Sequence, residues 1–175
     1  MMSRLAERDL QTVAGTFHEI LFNFNDVEAI ALVMGDVSGR DDVLCRIHSS
    51  CISAHAFNSI ECTCREEMLA AQRVIAENGT GVIIYLEQEG KGNGHRALIE
   101  SIPFKRAGHT QSEAYELAGY QDDARDYTPA AEILRDVNVR SVVLVSGGRS
   151  KADELTRLGV NINAVRALDL AAPER

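Results

Sequence analysis

Cys51, Cys62 and Cys64 form a pattern in which ten residues separate the first two cysteines and one separates the last two. Thiolates are preferred soft ligands for zinc, and structural zinc sites close with four protein ligands. Three ligands with the fourth position open instead hold and acidify a water molecule. The remaining cysteine, Cys45, lies on a predicted strand and is expected to point into the core. Two other readings fit the same spacing: three buried reduced thiols, or a closed site completed by His48 or His55.

Three further clusters carry chemical potential. Glu87-Gln88-Glu89-Gly90-Lys91-Gly92-Asn93-Gly94 follows a short apolar run. Glycines beyond the carboxyl end of a buried strand let backbone N–H groups approach a phosphate or a ring, although surface loops share that composition. Asp122-Asp123-Ala124-Arg125-Asp126-Tyr127 gathers carboxylates and a guanidinium ahead of a predicted helix. That suits general-base work and phosphate contact, and equally a solvated run capping the helix at Thr128 with Pro129 in its first turn. Ser146-Gly147-Gly148-Arg149-Ser150-Lys151 sits between a predicted strand and helix, where backbone amides and two cations suit an anion.

The elements that position these clusters are legible from periodicity. Residues 12–24, 28–34 and 43–48 read as strands, with turn chemistry at Gly35-Asp36 and over residues 38–42. From Arg65 the period becomes helical, through Met68, Ala71, Val74 and Ile75, and Asn78-Gly79 closes that helix. Residues 81–86 form a strand buried on both faces. Helices follow over 96–107, 112–118 and 129–136, then a strand at 141–145, a helix at 150–158 ended by Gly159, and a strand at 160–165. The expected fold is α/β (α+β): one domain over residues 1–175, with a β-rich N-terminal part and then alternating helices and strands around a mixed sheet.

The chain of 175 residues is 45% hydrophobic and 25% charged, which describes a globular protein rather than a disordered one. Its net charge of -8 argues against a nucleic-acid binder or an anionic-membrane binder, both of which carry basic stripes. An anionic small substrate held in a local basic pocket remains compatible. No stretch approaches the roughly 18 apolar residues of a membrane span, and residues 1–10 lack the apolar segment of a signal peptide. The expected location is the cytoplasm, where clustered cysteines point to metal or catalysis before disulfides.

In order along the chain, His48-Ser49-Ser50-Cys51, Cys62-Thr63-Cys64, Gln88-Glu89-Gly90, Arg125-Asp126-Tyr127 and the helix carrying Ile133-Leu134 resemble GTP cyclohydrolase II. That family is the zinc enzyme that opens riboflavin biosynthesis, and the resemblance runs from about residue 29 to 165. It implies one zinc ion per chain on Cys51, Cys62 and Cys64, activating water for attack at C8 of guanine. Ring opening, formate release and pyrophosphate release complete the implied reaction, with magnesium on the substrate phosphates. By position Asp123 matches the family's proton acceptor, and Arg125 matches the arginine at the α-phosphate, which electrostatic stabilisation describes better than nucleophilic attack. Arg46, Ile47, His48, Ser49 and Ser50 match the phosphate-proximal strand end. Glu89, Gly90 and Lys91 match the loop that holds the base, and Glu67, Gln111, Ser146 and Lys151 match further nucleotide contacts. The resemblance also implies a homodimer.

The chain departs from the family at several of these positions. Glu87 and Lys91 flank Gln88-Glu89-Gly90 where the family carries arginines, and Glu67 replaces a neutral amide. Two acidic groups facing a triphosphate are expected to repel it unless magnesium intervenes. Ser146-Gly147-Gly148-Arg149 replaces a threonine–asparagine–asparagine–proline loop, and Gln111 replaces a threonine. The family's active-site tyrosine falls at Ile102, which cannot donate, accept or relay a proton. Two function classes follow. One is an enzyme of riboflavin or specialised metabolism that opens a purine nucleotide, GTP by default, with altered substrate or with release of a formylated intermediate. The alternative is a non-catalytic zinc-containing protein that binds a nucleotide.

Overall fold

The computed structural model describes residues 2–170. An exposed hairpin begins the chain: β1 (Met2–Thr12) pairs antiparallel with β2 (Gly15–Phe24), from Met2 opposite Phe24 to Thr12 opposite Gly15. A two-residue turn, Asn25-Asp26, then leads into β3 (Val27–Met34). Both turn residues have positive φ, the backbone that matches strand twist in tight hairpins and that Asn and Asp tolerate. β4 (Val43–Ser49), β5 (Gly81–Leu86), β6 (Val142–Val145) and β7 (Ile162–Arg166) complete a seven-stranded sheet of order β1-β2-β3-β5-β4-β6-β7. β3 and β5 pair antiparallel, whereas β5, β4, β6 and β7 are mutually parallel. The fold is the mixed α/β arrangement expected from the change of period at Arg65.

Helices cover the parallel half on both faces, as buried parallel strands require. α1 (Ile52–His55) is a single turn after β4, and α2 (Cys64–Asn78) ends at Gly79 in the left-handed conformation. Ala71 and Ile75 of α2 pack on Phe17, Leu32, Leu44 and Ile83. α3 (His95–Arg106) and α4 (Gln111–Leu117) pack together beside the sheet, and Thr110 and Glu113 form a reciprocal capping box on α4. α5 (Thr128–Asp136) and α6 (Ser150–Arg157) cover the opposite face, where Ile133, Leu134 and Leu155 meet Cys45, Ile47, Ile84 and Leu144. Side chains alternate along β4, so Cys45 and Ile47 enter that core while Leu44 faces α2. Among the described residues no helix is long and apolar enough to cross a membrane.

Two features differ from expectation. β1 is a strand although residues 2–12 show no alternation, because nearly every side chain on it is solvent-exposed. Its stability comes from the backbone ladder and cross-strand charge pairs such as Arg8–Glu19 at 2.5 Å. The start of α5 is capped differently as well. Tyr127 takes the cap position, and the Asp126 carboxylate, rather than the Thr128 side chain, accepts from a free backbone amide, that of Thr128, at 2.8 Å.

After β5 the chain makes a tight turn over Glu89–Gly92, with Gly90 and Lys91 both in the left-handed region. Gly92 has φ +83, and a Cβ there would lie 2.5 Å from the Ala124 carbonyl oxygen and 2.9 Å from the Arg125 nitrogen. The turn can therefore lie against the 122–125 segment only with glycine at this position. Gly92→Ala is expected to destabilise the protein by about 2 kcal/mol in urea denaturation, combining left-handed strain with displacement of that segment. Gly147→Ala, where a Cβ meets nothing within 4 Å, is expected to change stability by less than about 0.5 kcal/mol.

Candidate active site

The parallel register carries β4 and β5 to a common end, pairing Ser49 with Leu86. The Ser50 amide continues the ladder, donating to the Leu86 carbonyl at 2.8 Å. Cys51 and Glu89 therefore emerge beside each other, and the Ile52 amide donates to Glu89 Oε2 at 2.8 Å. Cys62 and Cys64 arrive from the loop before α2 and its first residue. The sulfur atoms of Cys51, Cys62 and Cys64 all lie within 4.8 Å of one another, with Cys51 and Cys62 at 3.7 Å. Two sulfurs held at about 2.3 Å by one tetrahedral ion lie about 3.8 Å apart, so the Cys51–Cys62 spacing suits a shared zinc ion and the Cys64 sulfur is close enough to join it. The hydrogen bond from Cys64 pulls the Cys62 thiol down to about 5, and the same bond, with burial, raises Cys64.

Neither histidine joins this cluster. His48 accepts from Arg46 at Nδ1, 3.4 Å away, which leaves its proton on Nε2, facing His55 Nε2 at 3.1 Å. Burial, followed by the charge of Arg46, pushes His48 down to about 3, so it is neutral. Cys45 is wholly buried in the core, and burial raises its thiol to about 12.

A cavity of about 860 Å³ opens over the cysteines. Arg46, His48, Ser49 and Ser50 line it from β4 and its end, Glu67 from α2, and Glu89, Gly90 and Lys91 from the turn. Gln111, Arg125, Ser146 and Lys151 also reach it, while Ile99, Ile102 and Pro103 of α3 give it one apolar wall. Ile47 and Asp123 do not line the cavity. Ile47 is a core residue whose carbonyl accepts from Lys151 Nζ at 2.7 Å. Asp123 holds Arg125 in a two-pronged pair, at 2.8 Å to Nε and 2.5 Å to Nη2. Burial alone would raise the Asp123 carboxyl, but the hydrogen bonds and charge of Arg125 outweigh it and hold the group below its usual range.

The acidic substitutions fall in different places. Glu67 faces the cavity but is engaged: one oxygen accepts from Arg46 and the other from Thr63 Oγ1 at 3.0 Å. Glu87 is exposed and stands off the cavity wall, so the expected repulsion from it has no structural basis. Lys91 Nζ donates to Ser112 Oγ at 2.8 Å, and Gln111 Nε2 to Ser101 Oγ at 3.2 Å.

Several polar atoms at this site are buried without a partner: Arg46 Nε, the hydroxyls of Ser49, Ser50 and Tyr127, and Glu89 Oε1. Orphaned buried groups are costly, and their concentration here marks a place that a ligand completes. Tyr115 was absent from the residues singled out by motif, and Tyr127 stood in a motif without a role of its own. Tyr115 lines the cavity from α4, and Tyr127 lies under the cations, 5.6 Å from Arg125 Cζ and 5.7 Å from Lys151 Nζ to the ring centre. Apolar spacing on α4 made Tyr115 indistinguishable from a core residue.

Lys151 lines the cavity together with Arg46 and Arg125. Burial, then the two neighbouring guanidinium charges, push it down from 10.5 to about 7. It is therefore cationic below about pH 7 and neutral above. Sulfate keeps a constant charge across this range, and is expected to raise the melting temperature more at about pH 6 than at about pH 8.5. Lys151→Met is expected to abolish most of that difference in scanning calorimetry.

The model of the GTP cyclohydrolase II family matches residues 3–167. GTP cyclohydrolase-2 of Streptomyces coelicolor is 38% identical over 166 residues, spanning 92% of this chain and 74% of that protein. The GTP cyclohydrolase-2 of Klebsiella pneumoniae subsp. pneumoniae is 34% identical over 165 residues, 92% of this chain and 82% of that one. The riboflavin biosynthesis protein RibBA of Bacillus cereus is 34% identical over all of this chain and 44% of its own length. Among solved structures, RibBX, a two-domain 3,4-dihydroxy-2-butanone 4-phosphate synthase from A. baumannii, superposes with a TM-score of 0.55. That match covers 95% of this chain and 40% of RibBX at 20% identity, a likeness of fold alone.

Proposed function

The chain belongs to the GTP cyclohydrolase II family and is a hydrolase of that kind, and we propose that it opens the imidazole ring of GTP, with loss of formate and pyrophosphate. The observation that carries this reading is the single cavity in which three converging thiols, the free oxygen of Glu89 and the cations Arg46, Arg125 and Lys151 stand together. A purine nucleotide needs those three kinds of contact at once: a hydrolytic centre, a base-reading acceptor and an anion-binding end.

Cys51, Cys62 and Cys64 hold one zinc ion per chain in this reading, which when bound supplies the acidification that makes water a nucleophile near neutral pH. Glu89 Oε1 accepts from the ring N–H and amino group of guanine, and its Oε2 is fixed by the Ile52 amide. Arg46, Ser49, Ser50, Ser146 and Lys151 receive the phosphates, with magnesium offsetting the remaining charge. Glu67 tempers Arg46, and Lys91 and Gln111 border the base. Arg125, aligned by Asp123, stabilises the charge that develops on the α-phosphate. Asp123 accepts a proton once nucleotide phosphate competes with it for Arg125. The apolar α3 wall, including Ile102, excludes water from one face of the base. We read residues 1–175 as one catalytic domain, cytoplasmic and homodimeric.

Zinc-loaded protein incubated with GTP and magnesium is expected to yield formate and a diaminopyrimidinone ribosyl monophosphate by mass spectrometry. A product that keeps the formyl carbon would assign the missing step to Ile102. Intact GTP, with metal content confirmed, would overturn the reading. Cys51→Ser, Cys62→Ser and Cys64→Ser are each expected to lower zinc content well below the roughly one ion per chain of the parent, with Cys45→Ala leaving it unchanged in elemental analysis.

A further inference from the structure

Tyr115 is 1% exposed, yet its side chain lines the cavity and its hydroxyl makes no hydrogen bond among the described residues. A buried phenol ordinarily finds a partner, so a free hydroxyl at a cavity wall points to a ligand. The hydroxyl lies against the turn that follows β5: a Cβ built on Gly90 would be 3.4 Å from it. Glu89, the residue before Gly90, presents an oxygen that accepts no hydrogen bond, with His95 Nδ1 3.8 Å from it. One free hydroxyl and one free carboxylate oxygen thus flank Gly90, with the apolar α3 wall beside them.

We propose that Tyr115 is a specificity-determining residue that donates a hydrogen bond to the 6-oxo group of the bound purine, while Glu89 accepts from the adjoining N–H groups. The inference rests on the purine-nucleotide reading and deepens it, because it states how the base is chosen. Guanine presents a 6-oxo acceptor next to a ring N–H and an amino group, which matches a hydroxyl donor beside a carboxylate acceptor. Adenine presents a 6-amino donor next to a bare ring nitrogen, so the carboxylate confronts a lone pair and the phenol loses its acceptor. The phenol keeps its proton for this purpose. Burial, then the charges of Glu89 and Cys51, push it up to about 12 against the opposing effect of Arg125. Gly90 is required at the same place, since its positive φ and the nearby hydroxyl leave little freedom for a side chain.

The test uses 7-deaza nucleotides, which keep the base-pairing edge but resist hydrolytic opening because C8 no longer lies between two nitrogens. Calorimetric titration of the zinc-loaded full chain should show tighter binding of 7-deaza-GTP than of 7-deaza-ATP. Tyr115→Phe is expected to weaken 7-deaza-GTP about five- to tenfold and to change 7-deaza-ATP less than about twofold. A 6-thio-7-deaza-GTP probe, whose sulfur is a poor acceptor, is expected to bind the parent chain about fivefold more weakly than the 6-oxo analogue, and Tyr115→Phe equally to it. That second probe applies to the unaltered protein even if the variant fails to fold. Unchanged 7-deaza-GTP binding by a folded Tyr115→Phe protein, equal losses for both bases, or indifference of the parent to the 6-thio exchange would each overturn the assignment. A parent chain that binds 7-deaza-GTP no better than 7-deaza-ATP would overturn it too, leaving a purine site without base discrimination. Failure of the parent to bind either purine would remove the nucleotide reading itself, and the role of Tyr115 with it.

Discussion

The parallel pairing of β4 with β5 is the constraint on which the site depends. Parallel strands point their carboxyl ends the same way, so one register brings two separate loops to a single edge of the sheet. Here Ser49 stands opposite Leu86, and one more ladder bond from the Ser50 amide holds the strands together past their formal ends. The cysteine at the end of one strand and the acidic turn after the other are then linked directly through the Ile52 amide and Glu89. Every later contribution is placed relative to that edge. α2 delivers two thiols and Glu67, β6 leads into the Ser146 loop beside β4, and Gly92 lets the Arg125 segment close against the turn.

Burying three cations near one another is the electrostatic problem this arrangement creates. Each has a different internal solution. Arg46 is shared among Glu67, the Val145 carbonyl at 3.2 Å and His48. Arg125 is clasped by Asp123, and Lys151 donates to the Ile47 carbonyl while its proton is loosened by its neighbours. None of these partners saturates its cation: Arg46 Nε is free, and Lys151 has further donors. The internal acceptors hold the cations in the folded protein without consuming their capacity to bind an anion. Glu67 belongs to that balance, which is why an acidic residue is compatible with this cationic end of the cavity whereas its sequence context alone suggested repulsion.

The central strands, the helices and the thiol cluster were legible because each has a strong local signature. Residues 81–86 are a continuous apolar run, Gly79 ends α2, and the cysteine spacing joins sulfur atoms that converge. The limits were equally physical. β1 has no buried face, so periodicity had nothing to register, and its order comes from pairing with β2. Asp123 and Ile47 match positions by motif, yet their side chains stand behind the wall, because alternation along a strand and a two-residue ion pair are invisible in a string of letters. Tyr115 carried no motif at all, and only the fold reveals that its ring is core while its hydroxyl is not.

The cavity has two chemically distinct sides, and the division suits a planar heterocycle. Its sheet side is polar, with unpartnered oxygens and nitrogens at strand ends, whereas Ile99, Ile102 and Pro103 form an apolar wall on α3. A purine has the same division: apolar faces and a polar edge. In the proposed reading, packing a face on α3 removes water there and turns the edge toward Glu89 and Tyr115, so orientation follows from desolvation as much as from hydrogen bonding. Aliphatic residues on that wall hold a flat ring by contact and cannot follow it chemically once the ring opens. Asp123, His48 and the thiol cluster lie in or directly behind the opposite wall, on the sheet side and the turn.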